Sequence, residues 1–221
     1  AAEIVEQVLQ AGRLLRGEGR RLRNLVFMGM GEPLHNERAL HEAVAALRDP
    51  KRCGFTDRHI VVSTVGVPDA MVRFARAFPA VKLALSLHSA RQEVRESIMP
   101  VARRHSLVQL RAALAEVAAI QGGRVMIEYL LLDRLTDRDE DLDALRDYID
   151  GIPVHINLIP YNTVEAACAI RGTPRERREA FGARLKRAGF RVTMRYSLGA
   201  DIDGACGQLV RRVGTDPAPR S

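Results

Sequence analysis

Six short strand-like runs, most of them apolar, separated by stretches of helical periodicity, constrain the fold of this 221-residue chain more than any other feature. The runs are Leu25-Val26-Phe27-Met28, Ile60-Val61-Val62, Leu83-Ala84-Leu85, Val125 to Leu132, Val154 to Ile159 and residues 190–195. Strands that read as continuous apolar runs are covered on both faces, as in a parallel sheet packed against helices. The intervening stretches supply those helices. Ile4, Val8, Ala11 and Leu15 mark one face of an opening helix, and residues 36–48 and 69–77 predict the next two. Leu107, Leu110, Leu114 and Val117 line another, and Leu142, Leu145 and Ile149 the one after. A helix over 174–188 carries its own punctuation: Thr173 and Glu176 as a capping box, Pro174 at its first position and Gly189 beyond its end. Alternation of this kind builds either a barrel or a doubly wound sheet. Residues 211–221, with two prolines and few apolar side chains, predict a loose tail.

Composition narrows the partners. The net charge is +7, which favours an anionic partner such as nucleic acid. Only three of the 34 basic residues are lysines, however, and arginine excess can also reflect a G+C-rich genome. The three cysteines, Cys53, Cys168 and Cys206, are far apart and odd in number, which predicts free thiols in a reducing cytoplasm. No apolar run approaches the roughly 18 residues of a membrane span, and no signal-peptide pattern opens the chain. Residues 1–17 start as though already inside a helix, without an initiating Met, so the expectation is that an upstream segment has been removed.

In parallel α/β folds, ligands gather where strands end and loops begin. The strand ends here carry Gly29-Met30-Gly31-Glu32-Pro33, Ser63-Thr64-Val65-Gly66, Ser86-Leu87-His88-Ser89 and Pro160-Tyr161-Asn162, with Glu128-Tyr129 inside the fourth strand. The glycine turn brings backbone carbonyls and one carboxylate towards a ligand ammonium, or is simply a tight strand-to-helix turn. Ser63 and Ser86 either bind or satisfy local backbone groups, His88 is a ligand or a satisfied rim histidine, and Asn162 a ligand or a turn residue. Glu128 within an apolar strand must be paired or functional. Near the C-terminus, Asp201-Ile202-Asp203 leads into Ala205-Cys206-Gly207-Gln208-Leu209. Cys206 is core filler or a nucleophile.

Taken in order, these stretches resemble the RlmN/Cfr family of radical S-adenosylmethionine enzymes, methyltransferases that act on adenosine in ribosomal and transfer RNA. The matching segments are Phe27 to Leu34, Ser63 to Gly66, Leu85 to His88, Ile127-Glu128-Tyr129, Ile156 to Asn162 and Asp201 to Leu209, so the resemblance spans residues 2–209. It implies an α/β fold: a six-stranded partial (β/α) barrel of which this chain supplies strands two to six, the first being absent, plus a C-terminal extension. Residues 1–196 would form the core, 197–210 the segment bearing the cysteine, and 211–221 the tail. Gly31 and Glu32 would hold the methionine part of S-adenosylmethionine. Ser63, the Ser86-Leu87-His88 segment and Asn162 would hold the rest, and Cys206 would carry the methyl group.

The family chemistry explains the cysteine. Carbon 2 of adenine is electron-poor and cannot attack a sulfonium methyl, whereas a thiolate can. The resemblance further implies a 4Fe–4S cluster, RNA substrates (23S rRNA, tRNA), an electron donor such as flavodoxin, and a cytoplasmic location. The family's CxxxCxxC cluster motif does not occur here, and no metal ligands are assigned. The expectation is therefore a family fragment unable to perform the radical step. Thr163, Tyr196, Leu198 and Ala102 depart from the family pattern at positions bearing on RNA and substrate. Two alternatives stand beside this reading: a cluster-less relative that only binds RNA or nucleotide, and an unrelated barrel that uses its glycine turn for phosphate.

Overall fold

Each of the six runs forms a strand, and all six are parallel: β1 (Leu25–Phe27), β2 (Ile60–Thr64), β3 (Lys82–Ser86), β4 (Val125–Leu131), β5 (Val154–Pro160) and β6 (Arg191–Met194). The computed structural model describes residues 1–29, 31–122, 125–161 and 170–195. The strand order is β1-β2-β3-β4-β5-β6, with no reversal. Parallel neighbours need crossovers, and crossovers share one hand. An order that never reverses therefore keeps every crossover helix on one side of the sheet. This settles the choice left open by the sequence: the architecture is that of a barrel rather than a doubly wound sheet. It is an open one, because β1 and β6 do not pair. The sixth strand, Arg191–Met194, lies on the outer edge of β5.

Helices α1 (Ala2–Gly17), α2 (Glu37–Arg48), α3 (Pro68–Ala77), α4 (Gln92–Ile98), α5 (Leu107–Gln121), α6 (Asp139–Ile149) and α7 (Arg175–Arg187) fill the connections. The core lies between helices and sheet. Leu83 and Leu85 of β3, Ile127 and Tyr129 of β4, and Ile156 and Leu158 of β5 are buried with Leu110, Leu114, Leu142, Leu145 and Leu185. At about 1.5–3 kcal/mol per fully buried large aliphatic side chain, this layer drives the fold. The α1 stripe is covered only in part: Ile4, Val8, Ala11 and Leu15 are half-buried, and no residue of α1 is fully buried.

Two local expectations change. The Thr173/Glu176 capping box does not form: Pro174 is the N-cap residue, without a side-chain cap, and the buried Thr173 hydroxyl has no partner. Thr173 is instead drawn into the structure by its backbone, its N–H donating to Leu131 O at 3.3 Å, which turns the chain before α7. A true capping box stands at Ser106 and Gln109, at the start of α5. Helix α4 had no periodic signal in the sequence, because seven residues hold barely two turns. Gly189 does follow the end of α7, with φ +89. Among the described residues no helix is long and apolar enough to cross a membrane.

Candidate functional site

Strands that looked uniformly apolar are two-faced. The face opposite the helices carries Ser63 on β2, Ser86 on β3, Glu128 on β4 and Asn157 on β5. Ser86 is in register with Glu128, and Glu128 with Asn157, so the three form one polar rung across the sheet. Glu128 is only 2% exposed. Its Oε2 accepts from Ser63 Oγ at 3.1 Å and from Ser86 Oγ at 3.2 Å, and the two hydroxyls lie 3.3 Å apart. Oε1 is buried and has no hydrogen-bond partner. A buried carboxylate oxygen without a donor is costly, so the cluster is built to receive one. Asn157 donates to Met126 Sδ at 2.8 Å, a weak acceptor.

A second carboxylate organises the loops above this rung. Glu32 Oε1 accepts from Leu34 N at 2.9 Å and Thr64 Oγ1 at 2.8 Å, and Oε2 from Val65 N at 2.7 Å. Glu32 thereby caps the short 3-10 turn Pro33–Asn36 and ties the end of β1 to the end of β2. Gly31 takes φ +93, a conformation that suits glycine, so the chain can swing Glu32 towards that contact. With three protein donors on it, the carboxylate positions the turn, and what the turn can offer a ligand is chiefly its backbone.

The β3 end is fixed from three sides. Leu87 is fully buried and contributes backbone: its N–H reaches Leu85 O at 2.9 Å and Glu128 O at 3.1 Å. His88 has left-handed φ +58, and its Nδ1 accepts from Leu130 N at 3.2 Å. That bond puts the ring proton on Nε2 in the neutral form. Burial, helped by the positive charge of Arg95, lowers the His88 pKa from 6.5 to about 4, so the ring is a neutral donor near neutral pH. Arg95, on α4 and 0% exposed, donates from Nε to Leu87 O at 3.1 Å and from Nη2 to Val65 O. Among the described residues no carboxylate pairs with it; two loop carbonyls hold the guanidinium, and it clamps the β2 and β3 loops together.

The structure thus links Ser63, Ser86, Leu87 and His88 to Glu128 by hydrogen bonds, and ties the turn holding Gly31 and Glu32 to the end of β2 through Thr64 and Val65. Asn162 and Cys206, and with them the segments 197–210 and 211–221, lie outside the described residues. Sequence reasoning missed Arg95, Thr64 and Asn157. A polar residue inside a buried run was the signal for Asn157, as it was for Glu128. Arg95 had none, being one arginine among 31. Cys53 is free and half-buried in the turn after α2, packed against the core. No group of three His, Cys, Asp or Glu among the described residues could hold a metal ion.

No protein-family model matches the chain. A Rhodopirellula baltica protein named as a probable RNA methyltransferase is 51% identical over 95% of this chain and 55% of its own length. A probable dual-specificity RNA methyltransferase RlmN of Moorella thermoacetica is 41% identical over 95% of this chain and 59% of its own. The crystal structure of a radical S-adenosylmethionine methyltransferase from Sphaerobacter thermophilus superposes with a TM-score of 0.88 at 40% identity, covering 92% of this chain and 60% of that one. The chain therefore spans little more than half the length of the curated relatives it matches. In sequence and in fold, nearly the whole chain is thus similar to part of the RlmN-type RNA methyltransferases and of a radical S-adenosylmethionine methyltransferase.

Proposed function

We propose that this chain is the cofactor-binding and methyl-carrying part of an RNA methyltransferase that modifies carbon 2 of an adenosine in 23S rRNA or tRNA. The observation that carries the reading is the unpartnered Oε1 of Glu128, buried on the inner face beside Ser63 and Ser86. A nucleoside ribose supplies the hydroxyl donors that such an oxygen lacks, so S-adenosylmethionine fits the residues present. Glu128, Ser63 and Ser86 hold its ribose. The Gly31-Glu32 backbone receives its ammonium group, and His88 Nε2–H and Asn162 complete the pocket. When bound, it supplies an electrophilic methyl group. Cys206 is the acceptor: its thiolate is the one nucleophile of the C-terminal motif suited to that transfer.

A 4Fe–4S cluster does not fit in the same way. The sequence has no CxxxCxxC motif, and Cys53, Cys168 and Cys206 are too widely spaced to replace it. We therefore assign the 221 residues by themselves no radical step, and none to an electron donor such as flavodoxin acting on them alone. A cytoplasmic setting is consistent with free thiols and an RNA substrate. The test is calorimetric titration of S-adenosylmethionine into the chain and its Glu128→Gln variant, with folding checked by circular dichroism. Affinity is expected to fall about tenfold or more, the ~1.4 kcal/mol or more that a charged hydrogen bond contributes. Equal affinities, or no binding by the unaltered chain, would overturn the assignment. Transfer of labelled methyl to the Cys206 peptide, lost in Cys206→Ala, tests the carrier role separately.

A further inference from the structure

A groove of about 600 Å³ runs between α7 and the ends of β5 and β6, apart from the Glu128 rung. Its floor is apolar. Gly182 brings α7 so close that a Cβ there would lie 3.3 Å from Leu158 Cδ1 and 3.6 Å from Met194 Cε. Val192 and Met194 line the same floor. The walls carry more cations than carboxylates: Arg178 and Lys186, eight residues apart and so on one face of α7, stand with Arg195 at the end of β6, and the one lining carboxylate, Glu179, is paired with Arg175.

Three other arginines of the helix have carboxylate partners, Arg175 within the groove wall itself. Arg175 pairs with Glu179 at 2.7 Å, Arg177 lies 3.8 Å from Asp133, and Arg184 pairs with Asp139. Arg178, Lys186 and Arg195, by contrast, meet no carboxylate among the described residues. Arg178 donates to Thr173 O at 3.2 Å, which holds it along the groove wall. Tyr161, one residue past β5, also lines the groove.

We propose that this groove binds a single-stranded segment of the RNA, its phosphates on Lys186, Arg178 and Arg195 and an unstacked base on the Met194 floor or the Tyr161 ring. Three cations without carboxylate partners along a trough match a polyanion, and an apolar floor with one aromatic lining residue matches exposed bases rather than a duplex, whose bases are hidden. Pro160 ends β5 and Tyr161 follows it, on the strand whose Asn157 stands in register with Glu128. This inference rests on the RNA methyltransferase reading and adds the path by which the substrate is gripped.

The experiment measures anisotropy of a fluorescent single-stranded RNA oligonucleotide against salt, using the full 221-residue chain. Lys186→Glu/Arg195→Glu alters two exposed side chains, and Arg38→Glu/Arg52→Glu is a control on and after α2. Each double variant takes the net charge from +7 to +3, since each reversal removes two units. The groove variant is expected to bind about tenfold or more weakly, with a log–log salt slope shallower by about 1.4, at roughly 0.7 per single-strand phosphate contact. The control is expected to stay within about threefold. Equal losses in both variants would reduce the effect to overall charge and overturn the proposal. So would retention of RNA binding while binding of a polyglutamate peptide is lost, which would mark the groove as a site for an acidic protein. Titration of S-adenosylmethionine into the same samples separates the two readings. If the unaltered chain binds it but not RNA, the groove proposal fails alone; if it binds neither, both fail.

Discussion

Replacing Glu32 by glutamine separates positioning from ligand contact at the glycine turn. The carboxylate accepts three hydrogen bonds through both oxygens, at 2.7–2.9 Å. Glutamine keeps one acceptor but turns the other into a donor. If its oxygen faces Leu34 N and Thr64 Oγ1, its NH₂ meets the Val65 N–H, donor against donor. A part-buried N–H left without an acceptor costs about 1–3 kcal/mol, and the remaining bonds lose their charge assistance, so Glu32→Gln is expected to cost about 2–3 kcal/mol in all. For a domain of this size 1 kcal/mol moves the melting midpoint by roughly 2–4 °C, so the variant is expected to melt about 4–12 °C lower. Scanning calorimetry with and without S-adenosylmethionine is the assay. A midpoint unchanged within about 1 °C, combined with a large loss of cofactor affinity, would refute the reasoning. It would show that the carboxylate serves the ligand directly and that the three bonds carry little of the stability.

Other expectations concern the same rim. Gly66 has φ +102, and a Cβ there would lie 2.7 Å from Leu110 Cδ1. Gly66→Ala therefore combines backbone strain with overpacking and is expected to cost about 2–6 kcal/mol by urea unfolding. Gly19→Ala, at φ +69 in open space, is expected to cost only about 1–2 kcal/mol, and equal losses at the two sites would count against the packing argument. His88 has a folded pKa of about 4 against 6.5 for the free side chain. Above pH 6.5 it is neutral in both states and has no effect. As pH falls towards 4 the unfolded chain takes up a proton that the folded one refuses, so up to about 3 kcal/mol is lost across that window. His88→Asn, which tolerates the left-handed backbone, is expected to flatten stability between pH 6.5 and 4; an unchanged slope would place the titration elsewhere.

Legibility in the sequence followed how local each cause is. Strands and long helices were readable because burial against a single layer writes a period into neighbouring residues. The glycine turn, the serines and His88 were readable as a set because parallel strands deliver their ends to one rim. The capping box at Thr173 failed because a tertiary pull on the Thr173 N–H, from Leu131 O, outweighed a local motif. Helix α4 and Arg95 were invisible for a related reason: a buried guanidinium earns its place from two carbonyls, Val65 O and Leu87 O, lying 30 and 8 residues away.

What the amino-acid order determined by itself was the alternation of apolar runs and helical faces, and with it a parallel sheet whose polar groups end on one side. Barrel or doubly wound sheet was not decidable there, because strand order is a matter of which distant runs hydrogen-bond. Only the tertiary structure turned Glu128 from an anomalous strand residue into the centre of a rung with Ser63 and Ser86. It likewise showed that Glu32, expected to contact a ligand, also ties two strand ends together. Both outcomes depend on bonds between residues 32 to 65 positions apart, and such bonds leave no mark on a local pattern.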